Sequence, residues 1–585
     1  DAVQAISGSG GWPLNVFVTP EREPFYGGTY YPPQPAYSRP SWRQLLQRMS
    51  EIWRNQPDEV AAQASQMIEH LKQASRRMTS APTDAPTMET CRKMADNLLA
   101  QADKEAGGFG NAPKFPGTMA ISYLLQHYSY SGYEPALQHA LRSLDAMIDG
   151  GIYDQIGGGF ARYATDRQWL IPHFEKMLYD NALLISVLCE AWLLTRNDRY
   201  KTIANDTIAF VNRELRHPSG GFYCALDADS EGVEGKYYTW TWEDWTEAGI
   251  DPTGHVARYW GVTPAGNWEH TNILHVPQPA ALVAGELGIS EQELLAEVVI
   301  ACDRLFAIRQ ERIRPLTDDK CLLAWNAMMN KALSDAAMAF DNKNYLTQAT
   351  AHMQWMEDTY ANAGDLMHTC KDGIARIPAK LDDYACLIQA QLQLASATGD
   401  GAYINMAASL VAVVTDKFSQ DDVFFYYTPA GQADIPVRKV DLYDGATPSP
   451  NSVMARNLLL AGMATEHNEW IMRAERMLQN MSATVLRYPT SFALWAQQVQ
   501  QMVVGPLTVV ASGSEAGVTL QALHGKYIPH AWVLACEKEI CEPAIFEKKY
   551  FNGKLAIFVC SKSACLPPVN SVEHVEKLIA EQKER

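Results

Sequence analysis

Nowhere in this 585-residue chain do two cysteines stand at Cys-x-x-Cys spacing, so it carries no ready-made dithiol redox centre. Its eleven cysteines are scattered and odd in number, without a dense framework, which favours a reducing compartment; a cytoplasmic location is expected. Basic residues are also short. There are 49 Lys and Arg against 67 Asp and Glu, and the net charge of −18 argues against nucleic acid or an anionic membrane as the main partner. Long apolar runs are missing too, since the longest, Leu183 to Leu194, is broken by Glu190 and is too short to span a bilayer. No basic-then-apolar leader is visible. The chain opens on Asp1 in what reads as mid-helix (DAVQAI), so an upstream segment is expected.

What is present is a globular composition, 47% hydrophobic and 20% charged, long enough for two to four units. Residues 1–40 read as a helix tail, a glycine turn and a hairpin, Asn15–Thr19 with Pro24–Tyr31. Helices are expected over Trp42–Asn55 and Asp58–Met78, and the polar, proline-containing TSAPTDAPT (79–87) is the best linker. From about 88 to 500 helix follows helix, each introduced by a glycine-rich or aromatic loop. Helices are expected at Thr118–His127, Trp325–Phe340, Leu381–Thr398 and Val453–Ala464, with about six helix pairs in all. A closed ring of helical hairpins is the economical architecture, because it buries both faces of the inner helices and gathers their N-terminal loops at one mouth. After 505 the pattern changes to short apolar strands around Ala516–His524, closed by a helix at Val572–Glu581, as in a small α/β domain.

The densest chemistry lies in GGIYDQIGGGFARYATDRQWLIPHFEKMLYDNALL (150–184). Pro172 suits a first helical position, and a helix from there would put His173, Lys176 and Asp180 on one face. If the inner helices converge, their first turns present Lys114 and Phe115, then Glu175 beside His173, then Trp325 and Asn326. Asp382, Asp383, Tyr384, Asn451 and Ser452 complete that set. Loops add Asp154, Arg162, Tyr163, Asp227 and Asp229 as candidate substrate-binding groups. Carboxylates, one histidine and flat rings suit a neutral polyhydroxylated, sugar-like ligand. His173 could act as a base removing a proton beside a carbonyl, as epimerisation requires. Paired carboxylates, Asp180 with Asp382 or Asp383, could instead serve glycoside hydrolysis. Asp382 and Asp383 also complement the positive end of their own helix.

No cofactor or metal is expected. Asp227-Ala-Asp229-Ser-Glu231-Gly232 resembles half a calcium loop, but Tyr238 stands where the closing Glu is needed. Cys536 with Cys541 and Cys560 with Cys565 form two pairs that could hold zinc, form disulfides or be redox-active; Cys536 and Cys560 also read as small buried residues at strand ends.

Long strings of this sequence resemble the spermatogenesis-associated protein twenty family: GGWPLNVFVTP, PFYGGTYYPP, GGFGNAPKFP, GGIYDQIGGGFARYATD, WLIPHFEKMLYDNALL, FYCALDADSEG, LDDYA and CLPPV. The resemblance implies a partial thioredoxin-like α/β segment (1–80), a mainly α (α/α)6 barrel (88–500) similar to N-acylglucosamine 2-epimerase and the six-hairpin glycosidases, and the small α/β domain (505–585). It implies that Pro13 is the cis-proline of the thioredoxin fold. The family's Cys-His-Trp-Cys stretch is missing here, which puts thiol–disulfide exchange in doubt. Three readings follow: a sugar epimerase or isomerase (with hydrolase as variant), a thioredoxin-like protein whose barrel recognises a protein client, and a sugar-binding module without catalysis.

Overall fold

The computed structural model describes residues 2–8, 10–36, 38–77, 85–362, 364–421, 423–432, 435–538, 542–550, 553–562 and 564–583. Most of the expected linker at 79–87, and Cys541, lie outside the described residues.

The N-terminal unit packs on itself. Helix α1 (Ala2–Ser7) and α3 (Pro57–Arg77) cover a two-stranded antiparallel hairpin, Asn15–Val18 with Pro24–Gly28, and α2 (Trp42–Asn55) packs on α3. Ser41 caps α2 in a reciprocal box with Gln44, which satisfies two backbone donors at the helix start. The Trp12–Pro13 bond is cis, as the family resemblance implied. Leu14, Val16 and Val18 stay exposed, beside a Trp12 that is 88% exposed.

The central helices are α4 (Met88–Leu99), α5 (Thr118–Ser131), α6 (Glu134–Asp149), α7 (Leu178–Thr195) and α8 (Asp198–Glu214). An insertion, 215–322, carries α9 (Trp242–Glu247), α10 (His255–Tyr259), α11 (Ala280–Leu287) and α12 (Glu291–Gln310). The series resumes with α13 (Leu323–Phe340), α14 (Lys343–Tyr360), α15 (Leu381–Thr398), α16 (Ala402–Lys417), α17 (Pro450–Thr465), α18 (Asn468–Arg487) and α19 (Ala493–Val504).

Six of these, α5, α7, α13, α15, α17 and α19, touch in that order, and α19 returns to α5. Each has an outer partner: α6, α8, α14, α16 and α18 pack on the first five, and α4 packs on α19. The first helix of the series thus pairs with the last, and Asn97 of α4 donates to the Leu486 carbonyl of α18 at 2.8 Å across the closure. This is an (α/α)6 barrel. The inner helices are apolar nearly all round because both of their faces are covered. Helix α7 is long and apolar enough to cross a membrane, yet it is an inner ring helix and most of it is buried.

The C-terminal sheet stands Ala531–Cys536, Leu507–Ser512, Ala556–Cys560 in spatial order, the first pair parallel and the second antiparallel. Period-two alternation sends Val510, Trp532, Leu534 and Phe558 onto the barrel and Val509, Val533, Ile557 and Val559 towards α20 (Ala516–His524) and α21 (Val572–Lys583). Both faces are buried, which explains why these strands read as unbroken apolar runs. Cys560 and Cys565 form a disulfide, and Cys536 is disulfide-bonded too. A sulfur in a disulfide has no thiolate to give a metal, so the four-thiol zinc reading is corrected.

Candidate functional site

The helix expected from Pro172 begins instead at Leu178. Pro172–His173 pairs with Tyr163–Ala164, and Lys176–Met177 pairs with Ala225–Leu226. Extended backbone alternates sides, so His173, Lys176 and Asp180 do not share a helical face. Lys176 points into the protein, where its ammonium donates to Asp154 Oδ2 at 2.8 Å and to the Gly158 carbonyl at 3.0 Å. Arg309 of α12 donates to the other oxygen of Asp154, also at 2.8 Å. Burial opposes ionisation of Asp154, but Arg309 and Lys176 overcome it and hold the carboxyl far below its usual range. Burial likewise brings Lys176 down to about 8 against the pull of Asp154. This enclosed triad ties the insertion to the glycine loop. Gly159, at φ +78, lies against Phe210, and a side chain there would run into that ring.

Above the triad the loop turns outward. Arg162 donates to Glu175 Oε2 at 3.1 Å, and Tyr163 lies between Phe115 and His173, its ring 4.9 Å and 5.0 Å from theirs. His173 faces carboxylates with both nitrogens, Nδ1 at 2.8 Å from Glu234 and Nε2 at 3.4 Å from Glu175. The bond to Glu175 is the main reason its pKa is raised. Asp180 is buried with Oδ2 unpartnered, and burial holds its carboxyl well above the ordinary value, Arg162 pulling the other way. Trp325 meets Tyr179 edge-on at 4.8 Å. Asp227 and Asp229 are exposed on a hairpin strand and its approach, where Asp227 Oδ1 accepts the Asp229 N–H.

Several first-turn residues hold the fold rather than face the mouth. Lys114 is buried against Asp103 at 2.7 Å. Ser452 donates to Asp444, and Tyr384 accepts the Leu366 N–H. Asn326 is fully buried: its Oδ1 accepts the Phe222 N–H at 2.8 Å and its Nδ2 donates to the Phe222 carbonyl at 3.0 Å. Asn181 grips Phe160 in the same way, and Asn451 grips Phe425. Each asparagine thus fastens an aromatic loop to an inner helix. Replacing Asn326 by leucine keeps the bulk but strands two buried backbone groups, so a loss of about 1–3 kcal/mol is expected, read as a lower denaturation midpoint with faster amide exchange at Phe222.

The mouth's second histidine was not singled out in the sequence. His368, on the strand Asp365–Lys371, places Nδ1 at 2.8 Å from Asp383 Oδ2. Asp383 is fully buried and also accepts the backbone N–H groups of Lys380 at 2.8 Å and Ala324 at 3.1 Å. That carboxylate accepts the Nδ1–H, leaves Nε2 as the basic lone pair and raises the pKa of His368. Beside it Asp382 accepts from the Tyr427 hydroxyl at 3.1 Å and keeps Oδ1 unpartnered. Burial first, then the Asp383 charge, push Asp382 up to about 7.

Below the mouth a cavity of about 280 Å³ runs inside the ring to the C-terminal domain. Three inner helices line it in register. LYDNALLISVLCE (178–190), LAWNAMMNKALSD (323–335) and LDDYACLIQAQLQ (381–393) place Ser186, Lys331 and Gln389 at the ninth position, and Glu190, Asp335 and Gln393 at the thirteenth. Position two, seven residues above the ninth and on the same stripe, holds Tyr179, Ala324 and Asp382. Asp335 accepts from Ser186, Lys331 and Gln393, each at 2.6 Å. Glu190 accepts from Ser122 at 2.6 Å and from Tyr527 of the C-terminal domain at 3.3 Å. Aligning the helices on Leu-x-x-Asn-Ala and Leu-x-x-Tyr-Ala would have exposed these positions in the sequence.

The spermatogenesis-associated protein 20 of Rattus norvegicus is 30% identical to this chain over 99% of its length and 80% of the relative's. The chain belongs to the spermatogenesis-associated protein 20 family. The human member is likewise 30% identical, with the same coverage, and an uncharacterized Caenorhabditis elegans protein is 27% identical over 98% of the chain and 84% of its own length. The family model Thioredox_DsbH, described as a protein of unknown function, DUF255, matches residues 1–72. Among solved structures, D-mannose isomerase is similar with a TM-score of 0.45 and 11% identity, covering 68% of this chain and 88% of that one. Cellobiose 2-epimerase from Bacillus thermoamylovorans B4167 gives 0.45 and 11% over 71% and 99%. At this level neither substrate nor reaction transfers to this member of the family.

Proposed function

We propose that this chain is a sugar epimerase or isomerase in which His368, oriented by Asp383, is the base and Asp382 the acid. The observation that carries it is the His368–Asp383 pair standing beside an upward-shifted carboxyl at the mouth of the ring. His368 Nε2 takes the proton from C2 of an open-chain aldose, and the C–H electron pair moves into the C1–C2 bond. Asp382 gives its proton to the carbonyl oxygen, forming an enediol, and proton return to C2 on the other face or to C1 completes epimerisation or isomerisation. His173, facing carboxylates with both nitrogens, is a positioning residue here rather than the base. The cavity below supplies, on a largely apolar wall, hydroxyl, amide and carboxyl partners that a sugar needs.

Incubating the full chain with reducing sugars in deuterated water should place deuterium at C2 of at least one of them, read by proton NMR. No exchange with any sugar of the panel would sink this reading. Release of new reducing ends from oligosaccharides would instead support hydrolysis by Asp180 with Asp382, the reading favoured by the unpartnered, upward-shifted carboxyl of Asp180.

A further inference from the structure

Arg456 lines the axial cavity seven residues into α17, roughly 9 Å below the first turn at 1.5 Å per residue. Its guanidinium donates to the neutral Gln501 Oε1 at 2.5 Å, and it forms no ion pair among the described residues. The other charges on the wall are answered. Lys331 is neutralised by Asp335 at 2.6 Å. Burial, the main influence, raises the Glu190 carboxyl, which accepts from Ser122 and Tyr527, and lowers His524 on the cavity floor to about 4. Glu190 and Asp335 attract Arg456 only through space, so its guanidinium faces the cavity with no carboxylate in contact among the described residues.

An enclosed guanidinium without a carboxylate is costly unless something anionic meets it. Its planar fork matches a carboxylate, which two parallel N–H donors can hold at once. We propose that the ligand of the axial cavity is a sugar acid whose carboxylate is bound by Arg456, with its reducing end towards the mouth. A carboxylate fits better than a phosphate, which brings about −1.5 to −2 charges into a wall that also carries Glu190 and Asp335. Tyr527 and Trp532 of the C-terminal domain close the floor, so that domain helps set the depth at which the acid group stops.

This inference rests on the reading of the barrel as a sugar site, and the two fail differently. Calorimetric titration of the full chain with glucuronate and galacturonate, against glucose, galactose and glucose 6-phosphate, is expected to show at least tenfold tighter binding of one uronate than of its neutral parent. In R456Q that ratio should fall close to one, and R456K, which keeps the charge but loses the fork, should fall in between. Equal affinity of uronates and neutral sugars in the unaltered protein overturns the inference alone, whether or not R456Q folds. Tighter binding of glucose 6-phosphate than of either uronate overturns the choice of carboxylate. A ratio that survives in R456Q removes Arg456 from the role. Failure of every sugar to bind overturns the inference together with the reading beneath it.

Discussion

Replacing Asp154 by asparagine is expected to destabilise the protein by about 3–5 kcal/mol, the cost of stripping a buried cation of its partner. The side chains of Asp154, Lys176 and Arg309 are 9%, 4% and 3% exposed, so water cannot substitute for the lost charge. Lys176 can respond by giving up its proton, since burial already brings it to about 8. Arg309 cannot, and it stays charged between the new neutral amide and the faces of Tyr237 and Tyr238. Urea midpoints followed by tryptophan fluorescence would measure the difference. A matched change at the exposed Lys72–Glu69 pair should leave the midpoint unmoved. The pH dependence has a definite sign. The folded-state pKa of Asp154 is depressed, so its contribution is full above its unfolded value of about 3.9 and fades as pH falls below that. Unaltered protein and D154N should therefore differ at neutral pH and converge only in acid. A difference that vanished at pH 6 would mean the triad does not hold the insertion to the loop.

That triad also shows why part of the site was hidden in the sequence. Individual helices were legible: Leu381–Thr398 of the ring, which ends on Gly399, and Ala516–His524 of the C-terminal domain were expected with the bounds observed, because an uninterrupted apolar helix needs only local signals. The start of α7 was not, since two-residue strand pairings hold His173 to Tyr163 and Lys176 to Leu226 across the chain. A proline at a plausible N1 position is a local cue, and long-range pairing overrode it. Glu190, Lys331, Asp335 and Arg456 read as isolated charges in apolar runs, and only ring closure turns them onto a common cavity. His368 sits in a strand fifteen residues before its partner Asp383, a separation with no helical or strand period to reveal it. Asp382 and Asp383, adjacent in sequence, proved different in kind. Asp383 is spent on two backbone donors and a histidine, while Asp382 keeps an oxygen free.

The same difference makes His368 and Asp382 the sites of the largest expected loss of activity. H368N should lower kcat for C2 exchange by about 10²- to 10⁴-fold, the usual worth of a positioned acid or base, with little change in KM. A purely structural role would move KM and thermal stability as well. D383N should imitate much of the loss while retaining His368, because an amide no longer fixes the Nδ1 proton and Nε2 need not present its lone pair. The pH profile separates the two partners. His368 works unprotonated, so the rate rises with pH through its pKa, which Asp383 raises above the ordinary value. Asp382 works protonated, so the rate falls again as pH passes about 7. A narrow bell near neutrality follows, and because the groups interact its limbs belong to the pair rather than to either residue. D382N should flatten the alkaline limb and leave the acid limb standing. A profile unchanged by D382N would transfer the acid's role to Asp180, whose carboxyl burial also holds above its ordinary value at the same mouth.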